Sequence, residues 1–533
     1  MESKFSKLTY AVALSIYLTV SGHASASPRI PLKITCAAFF EGERVHAIQT
    51  IEAIAVARKR LTFAEPKRDR EFDFEGNDLR RHLDALKLSD AEFADLVKPN
   101  SKRDDSIEAY VARGMTFEEA VIATEYGKHH PELVEYFDQA GRVRLDLLPT
   151  VSLSLENGRQ KLDFARIHYT VREELESSRV LVDYLSAATT MNSLRLLVVT
   201  DQPRAKLDAF LSKAPEDVRK RVEILEVGKE AELSMWAQDG SKPLEGASRS
   251  IELGSTRYKP GNEALSAAGR IAFEKQLPFL LQGGNIIVGD RHVFVGQAEI
   301  HSTLMAFKVS QQRAVEILSH VFGKPVLPLW VKSSIAARPW SFHIDLDMVL
   351  AVDRKTNREV ALVRSPEALL NDLSGMKLTA EPTIEEIKAI RTKVVDRYEA
   401  GIFGKSLDSG SRRFLETFAT WSGFAIQQAI ASSRMMKRTL RSYGYEVRDL
   451  PGFGDTTMNK QLFFFGTNAI LTDRHAIIPS NQMPELDRRI AAIYRDMGYD
   501  VVPMRSSSAT ICKQGGIRCA TETYRRPRFT QAP

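Results

Sequence analysis

The chain has 533 residues, 43% of them hydrophobic and 27% charged, with a formal net charge of +6. That length allows two to four domains of about 150 residues each, and the apolar fraction is ample for buried cores. The 74 basic residues barely exceed the 68 acidic ones and are dispersed, apart from Arg525-Arg526-Pro527-Arg528 at the tail. No concentrated basic stripe or nucleic-acid-binding motif is present, so nucleic acid is not an expected partner.

The N-terminus sets the expected compartment. Lys4 and Lys7 precede an apolar stretch, Leu8 to Val20, followed by Ala24-Ser25-Ala26. A basic start, a short apolar core and small residues at the A-x-A positions describe a secretory signal peptide over residues 1–26. The apolar stretch is shorter than the roughly 20 residues a membrane span needs. The expectation is export, to a periplasm or beyond, with no membrane attachment after cleavage near Ser27. The first cysteine is Cys36, so no lipid-attachment cysteine follows the apolar core.

Residues 27–190 read as a mostly helical N-terminal domain. Leu79, Leu83, Leu86 and Leu88 recur at helical spacing within 78–96, and 116–126 and 131–137 also read as helical. Residues 151–155 and the segment from Lys161, flanking Asn157-Gly158, predict a β-hairpin. His129-His130 lacks further spaced ligands and reads as surface. From residue 193 the pattern becomes strand, helix, strand: 194–200, 204–212 and 221–227, then 285–288, 292–295, 311–322 and 344–352. After a long, charged, helical insertion at about 366–441, the rhythm resumes with 461–465, 469–471, 476–478, a helix over 484–497 and a strand over 500–503. Alternating strands and helices argue for α/β construction over 191–527. The insertion reads as packing over this domain, with a lid as the alternative.

Four short clusters carry the chemistry: Trp236-Ala237-Gln238-Asp239, Gln282-Gly283-Gly284-Asn285, His343-Ile344-Asp345 and Gly515-Gly516-Ile517-Arg518-Cys519. A glycine pair permits a tight turn and close backbone approach, though each pair alone is weak. Residues 343, 345 and 347 fall in an expected strand, where positions two apart share a face. That would set an acid/base beside a carboxylate; taken alone, it is equally a solvated strand face. Three cysteines in an exported chain leave an odd thiol. Cys36 and Cys512 are expected to be reduced and buried, a disulfide between them being the alternative. Cys519 follows a glycine turn among polar residues and is expected to be reactive. No Cys or His pair has zinc-ligand spacing near a third ligand, so no metal or other cofactor is expected.

The order and content of these clusters resemble the guanidino-modifying (pentein) superfamily, which includes agmatine deiminase, arginine deiminase and secreted bacterial peptidylarginine deiminases. The resemblance covers about 190–527. It implies a five-bladed α/β propeller with the site in its central channel. It implies that Asp239 anchors a guanidinium, that His343 and Asp345 supply the acid/base and a second anchor, and that Cys519 is the nucleophile. Trp236, Gly284 and Asn285 fall in substrate-binding segments, and Asn468, in Gly466-Thr467-Asn468, matches an Asn upstream of the family's cysteine. Two positions depart from the pattern. Gln238 stands where the family commonly has Arg, and Gln282 where many deiminases have Glu, which weakens a claim on free arginine or agmatine.

The function expected is hydrolysis. A guanidinium is planar, charged and rich in donors. Carboxylates can fix its plane, a thiolate can add to its carbon, and a histidine can move the protons. The expected reaction deiminates a peptidyl-arginine or related guanidino compound to a ureido group with release of ammonia. The alternatives are an amidinotransferase and a catalytically silent guanidinium-binding protein of the same fold.

Overall fold

The computed structural model describes residue 136 and residues 143–526, apart from short stretches, chief among them 330–342, 400–422, 455–462 and 505–514. The expected signal peptide, the helices over 78–137, His129-His130, Cys36 and Cys512 lie outside the described residues.

The first sheet holds β1 (Lys161–Tyr169), β2 (Arg195–Thr200) and β3 (Val222–Glu226). Helix α1 (Glu174–Thr190) links β1 to β2, and α2 (Arg204–Leu211) and α3 (Glu216–Arg219) link β2 to β3. The second sheet holds β4 (Ser241–Pro243), β5 (Arg249–Glu252) and β6 (Ala272–Glu274), with α4 (Lys259–Ala267) before β6. The third holds β7 (Ile286–Val288), β8 (Val293–Gly296) and β9 (Val326–Leu329), with α5 (Gln297–Phe307) and α6 (Gln311–Val321) between the last two. The fourth holds β10 (Met348–Asp353), β11 (Arg358–Ser365) and β12 (Glu446–Pro451). Helices α7 (Pro366–Ser374), α8 (Ile384–Glu399) and α9 (Gly423–Ser442) join β11 to β12. A two-stranded ribbon follows, β13 (Phe453–Gly454) with β14 (Phe463–Phe464). The fourth three-stranded sheet is β15 (Ile470–Leu471), β16 (His475–Pro479) and β17 (Asp500–Met504), with α10 (Pro484–Asp496) before β17. The last strand, β18 (Thr521–Arg526), returns to the first sheet beside β1.

The described residues therefore form a mixed α/β fold of several small sheets, and one pattern recurs in five of them. An antiparallel pair is followed by a parallel third strand: β4/β5/β6, β7/β8/β9, β10/β11/β12, β15/β16/β17 and β18/β1/β2. Antiparallel neighbours need only a short turn, whereas a parallel step needs a crossover, usually helical. Each helix named above sits in such a crossover. The strands that are buried on both faces are continuously apolar; in β10, Met348-Val349-Leu350-Ala351-Val352 are all buried. Helix ends are specified locally. Ser365 accepts from Ala368 N–H ahead of Pro366 at the start of α7, and Gly375 (φ +69°) ends it in the left-handed conformation.

Three expectations are corrected here. The hairpin at Asn157-Gly158 does not form: Leu153 bridges to Leu244, Asn157 to Leu471, and β1 pairs with β18 and β2. Gly158 does turn the chain (φ +88°), but an added Cβ would meet the Tyr499 hydroxyl at 2.6 Å, so the turn is built to fit a distant segment. The boundary at 190/191 divides one sheet, because β1 and β2 are parallel neighbours across it; residues 143–190 belong to the sheet-bearing unit. Residues 343–347 are no strand. A 3-10 turn, Ile344–Leu346, precedes β10. In the insertion, Leu369, Ile387, Val394, Ile426 and Ile430 share one core with Val360 and Leu362 of β11 and Ile490 and Tyr494 of α10. Its described helices are structural packing. Among the described residues no helix is long and apolar enough to cross a membrane.

Closure of the first sheet rests on a buried ion pair. Arg166 of β1 meets Glu522 of β18 at 2.9 Å, and the two side chains are 1% and 0% exposed. Ser241, Ser250 and Tyr524 also donate to Glu522. Removing one member leaves the other charge buried without compensation, which costs about 3–5 kcal/mol. Glu522→Gln should lower the unfolding free energy by that order in chemical denaturation, with a matching fall in Tm.

Candidate functional site

Five loops or turns at strand ends converge on Cys519, which is buried in the tight turn before β18. The turn is closed by Ala520 N–H donating to Gly516 O and Thr521 N–H to Arg518 O, at 3.2 and 3.0 Å. Gly515 is required there because its backbone lies on the Trp236 ring; a Cβ would fall 2.3 Å from a ring carbon. Trp236 also packs, with Leu346, against Cys519. The 236–239 segment is tied to the cysteine turn through Gln238 N–H, which donates to Cys519 O at 3.2 Å.

Two turns hold His343 and Asp345. Asn285 staples them: its Oδ1 accepts from Ile344 N–H at 3.0 Å, and its Nδ2 donates to Glu299 at 2.8 Å. Asn285 thus builds the site from behind. Gly284 lies under the imidazole, and a Cβ there would stand 2.4 Å from His343 Nδ1. Gly283 meets Gln238 O equally closely, where a Cβ would fall at 2.0 Å. Both glycines are thus needed for close approach. His343 Nε2 is 2.6 Å from Gln282 Oε1 and 3.8 Å from Asp239 Oδ1. Asp347 turns away to pair with Arg364.

Asn468 and Asp345 flank the thiol. Asn468 Nδ2 donates to Cys519 Sγ at 3.2 Å, while its Oδ1 accepts from Arg518 N–H at 2.8 Å. Cys519 Sγ is 3.5 and 3.7 Å from the two Asp345 oxygens. His343, Asp345 and Cys519 each present an atom within 4.8 Å of the others. We assign no metal to this trio: Asn468 and Asp345 already engage the sulfur. The structure thus brings together Asp239, His343, Asp345, Asn468 and Cys519, all at most 5% exposed, with Trp236, Gly284 and Asn285 as their supports.

A layer of charge lies behind the thiol, and no sequence motif pointed to it. Glu156 pairs with both Lys242 and Arg518 at 2.9 Å. Burial opposes the Glu156 carboxylate, but Arg518 and Lys242 hold its pKa down at about 2. With its amide turned to match donors to acceptors, Gln238 relays this layer to the site. Its oxygen accepts from Lys242 Nζ and Arg518 Nε at 3.2 Å, and its nitrogen donates to Asp345 Oδ2 at 3.2 Å. The one clue in the sequence was Arg518 beside the cysteine.

Burial dominates the titration of the cluster. It pushes the Cys519 thiol well above its ordinary range, and the Asp345 and Asp239 carboxylates push the same way. Burial also raises Asp345, against Arg518 and His343. It lowers His343, against the pull of Asp345. Burial raises Glu299 to about 8, against the hydrogen bond from Asn285, so near neutrality it is mostly protonated. The resting site therefore holds a protonated thiol and a neutral imidazole. Arg518, though adjacent in sequence, does not make the resting sulfur a thiolate.

No family model and no curated protein matches the chain. Among solved structures it is similar to an agmatine deiminase from C. jejuni (TM-score 0.46, 11% identity, covering 71% of this chain and 97% of that one). It is similar also to an agmatine deiminase of Enterococcus faecalis (TM-score 0.40, 11% identity, 70% and 96%). A third structure, named only provisionally as a peptidyl-arginine deiminase, gives a TM-score of 0.44 at 14% identity over 70% and 99%. Likeness at this level decides no chemistry, which rests on the side chains above.

The raised thiol gives a direct measurement. In a Cys36→Ser, Cys512→Ser background, alkylation of Cys519 by iodoacetamide should be slow at neutral pH. It should still be climbing at pH values where an ordinary thiol, with a pKa of about 8.5, has levelled off. A plateau near the ordinary value would show that burial and the neighbouring carboxylates do not govern this sulfur.

Proposed function

We propose that this protein is an exported cysteine hydrolase that deiminates a guanidino group to a ureido group and releases ammonia. One observation carries the reading: a buried thiol lies against one carboxylate, beside a histidine that faces a second carboxylate. Two buried carboxylates facing an enclosed nucleophile suit a planar cationic substrate. The recurrence of one sheet pattern in five sheets supports a five-bladed propeller around this site. Cytosolic metabolites are less accessible to an exported enzyme, so arginine within a peptide or another capped guanidine is the proposed substrate class.

The geometry suggests how the substrate activates the enzyme. Burial raises the Cys519 pKa, and Asp345 and Asp239 raise it further; a guanidinium held by these two carboxylates neutralises their part. The thiol then loses its proton to neutral His343, and sulfur adds to the guanidinium carbon. His343 passes that proton to the leaving nitrogen, the C–N bond breaks, and ammonia departs from a cationic S-alkylthiouronium. Water then adds to the same carbon with His343 accepting its proton, and the C–S bond breaks. The ureido product, the thiol and one proton result. Guanidinium and water thus give a ureido group and ammonium, which balances atoms and charge. Asn468, donating to sulfur, stabilises the thiolate.

Wild-type protein should form ureido product and ammonia, with no added amine acceptor, from at least one of free arginine, agmatine, blocked arginine and an arginine peptide. The peptide and blocked forms should be preferred. Preference for free arginine would overturn the peptidyl assignment; an absolute need for an amine would indicate amidino transfer. No product from any of the four would leave a silent binding protein. Cys519→Ser should reduce turnover to background with the fold intact. His343→Ala should act mainly on kcat, and Asp345→Ala on both kcat and KM.

The pH profiles test substrate activation separately. The kcat/KM profile reports the free enzyme and kcat the bound complex. Because the resting thiol pKa is raised, the Cys519 limb should lie at high pH in kcat/KM and move down in kcat. Coincident limbs would mean that bound substrate does not ease deprotonation.

A further inference from the structure

Lys242 is a cation buried behind the site, and the chemistry above gives it no role in the reaction. It lies in β4, three residues past Asp239, and its side chain is 1% exposed. Its Nζ is 2.9 Å from Glu156 and 3.2 Å from the Gln238 amide oxygen. Glu156 already has a cationic partner in Arg518, also at 2.9 Å. Two buried cations therefore share one carboxylate, and a buried charge is costly unless matched. The matching carboxylate is Asp345, on the far side of Gln238, whose amide nitrogen donates to Oδ2 at 3.2 Å. The charged or titratable groups that bear on Asp345 are Arg518, His343, Asp239 and Lys242, with the Cys519 thiol against its oxygens.

A side-chain amide has one acceptor end and one donor end. Lys242 Nζ and Arg518 Nε, both cationic donors, converge on one end of Gln238, so its oxygen faces them and its N–H faces Asp345. We propose that Lys242 is a positioning residue for Asp345: acting through Gln238, it turns an N–H donor onto Oδ2, keeps this buried carboxylate an anion, and leaves Oδ1 for a cationic ligand. This deepens the deiminase reading and rests on it for its functional meaning. A hydrogen bond to a carboxylate and a nearby cation both favour its charged form. Burial pushes Asp345 up and Lys242 down, each toward neutrality. Lys242 is among the charges that oppose this at Asp345, and Asp345 among those that oppose it at Lys242. The two ends of the relay thus sustain each other across an amide that adds no charge of its own.

The test uses full-length protein carrying ¹³Cγ-labelled aspartate, with the Asp345 signal identified by its loss in Asp345→Asn. Lys242→Met keeps an unbranched chain without the charge. It should raise the Asp345 midpoint by about 1 pH unit, the lower end of what loss of a close opposite charge does. Gln238→Leu keeps Lys242 but removes the amide between them, and should raise the midpoint as well. Both changes cut one path, so the double variant should shift by clearly less than the sum of the two. A carboxylate with a raised pKa loses its charge at higher pH, so the acidic limb of kcat/KM should move up in each variant, with KM rising more than kcat falls. Circular dichroism reports the fold separately; if Lys242→Met does not fold, Gln238→Leu decides alone. An unchanged Asp345 midpoint in either folded variant, or additive shifts in the double variant, would overturn the proposal. The carboxyl signals are read without turnover. If no guanidino compound is converted, the functional reading fails while these signals still decide the role of Lys242.

Discussion

The return of the chain's end to its beginning is the constraint on which the site depends. Cys519 precedes the first residue of β18 by two positions, and β18 pairs with β1 from Ile167↔Thr521 to Lys161↔Arg526. A turn this close to a strand inherits its placement from the strand. The pairing is fixed by the buried Arg166–Glu522 contact and by the stacking of Phe164 on Tyr524, whose centroids are 4.4 Å apart. Charges this deeply buried are costly unless matched, so the register that matches them is strongly favoured. A slip by one residue would turn the β18 side chains to the opposite face and carry the cysteine turn away from Asp345.

Charge balance governs the layer around that turn. Asp239, Asp345 and Glu156 are faced by Lys242 and Arg518, with Arg525 acting on Glu156 from farther back. An enclosed set of this kind tolerates little net charge. A neutral thiol fits it when empty, and a thiolate fits when a cation enters. On the proposed reading, the high resting pKa of Cys519 suits a cationic ligand, and the same low-dielectric surroundings serve both states. Gln238 connects the outer charges to Asp345 and adds no charge, as Gln282 does at the imidazole.

The glycines show how sparse residues specify close packing. Gly283, Gly284 and Gly515 face Gln238 O, the His343 ring and the Trp236 ring. Each removes the one carbon that would separate two loops from different sheets. The three-residue turns at 283–285 and 344–346 are then fastened by Asn285, itself held by Glu299 at the start of α5. A site assembled from loops obtains its precision here from backbone contact and from one amide with both ends used.

The sequence by itself determined the α/β alternation, most strand and helix positions beyond residue 193, and the short clusters that carry the reactive side chains. Those signals are local: apolar periodicity, caps, glycine turns and residue chemistry within a few positions. Tertiary structure decided what depends on distant partners. Asn157-Gly158 has a hairpin's composition, but β1 finds better partners in β2 and β18. His343-Ile344-Asp345 alternates like a strand, but Asn285 and Thr467 hold its backbone in a turn, through Ile344 N–H and Leu346 O. Residues 143–190 read as a separate region because the strand that completes their sheet lies more than three hundred positions away. The thiol's protonation was likewise beyond local reading. Arg518 adjoins Cys519 in sequence, yet its guanidinium is engaged by Glu156, and burial beside Asp345 sets the charge of the sulfur.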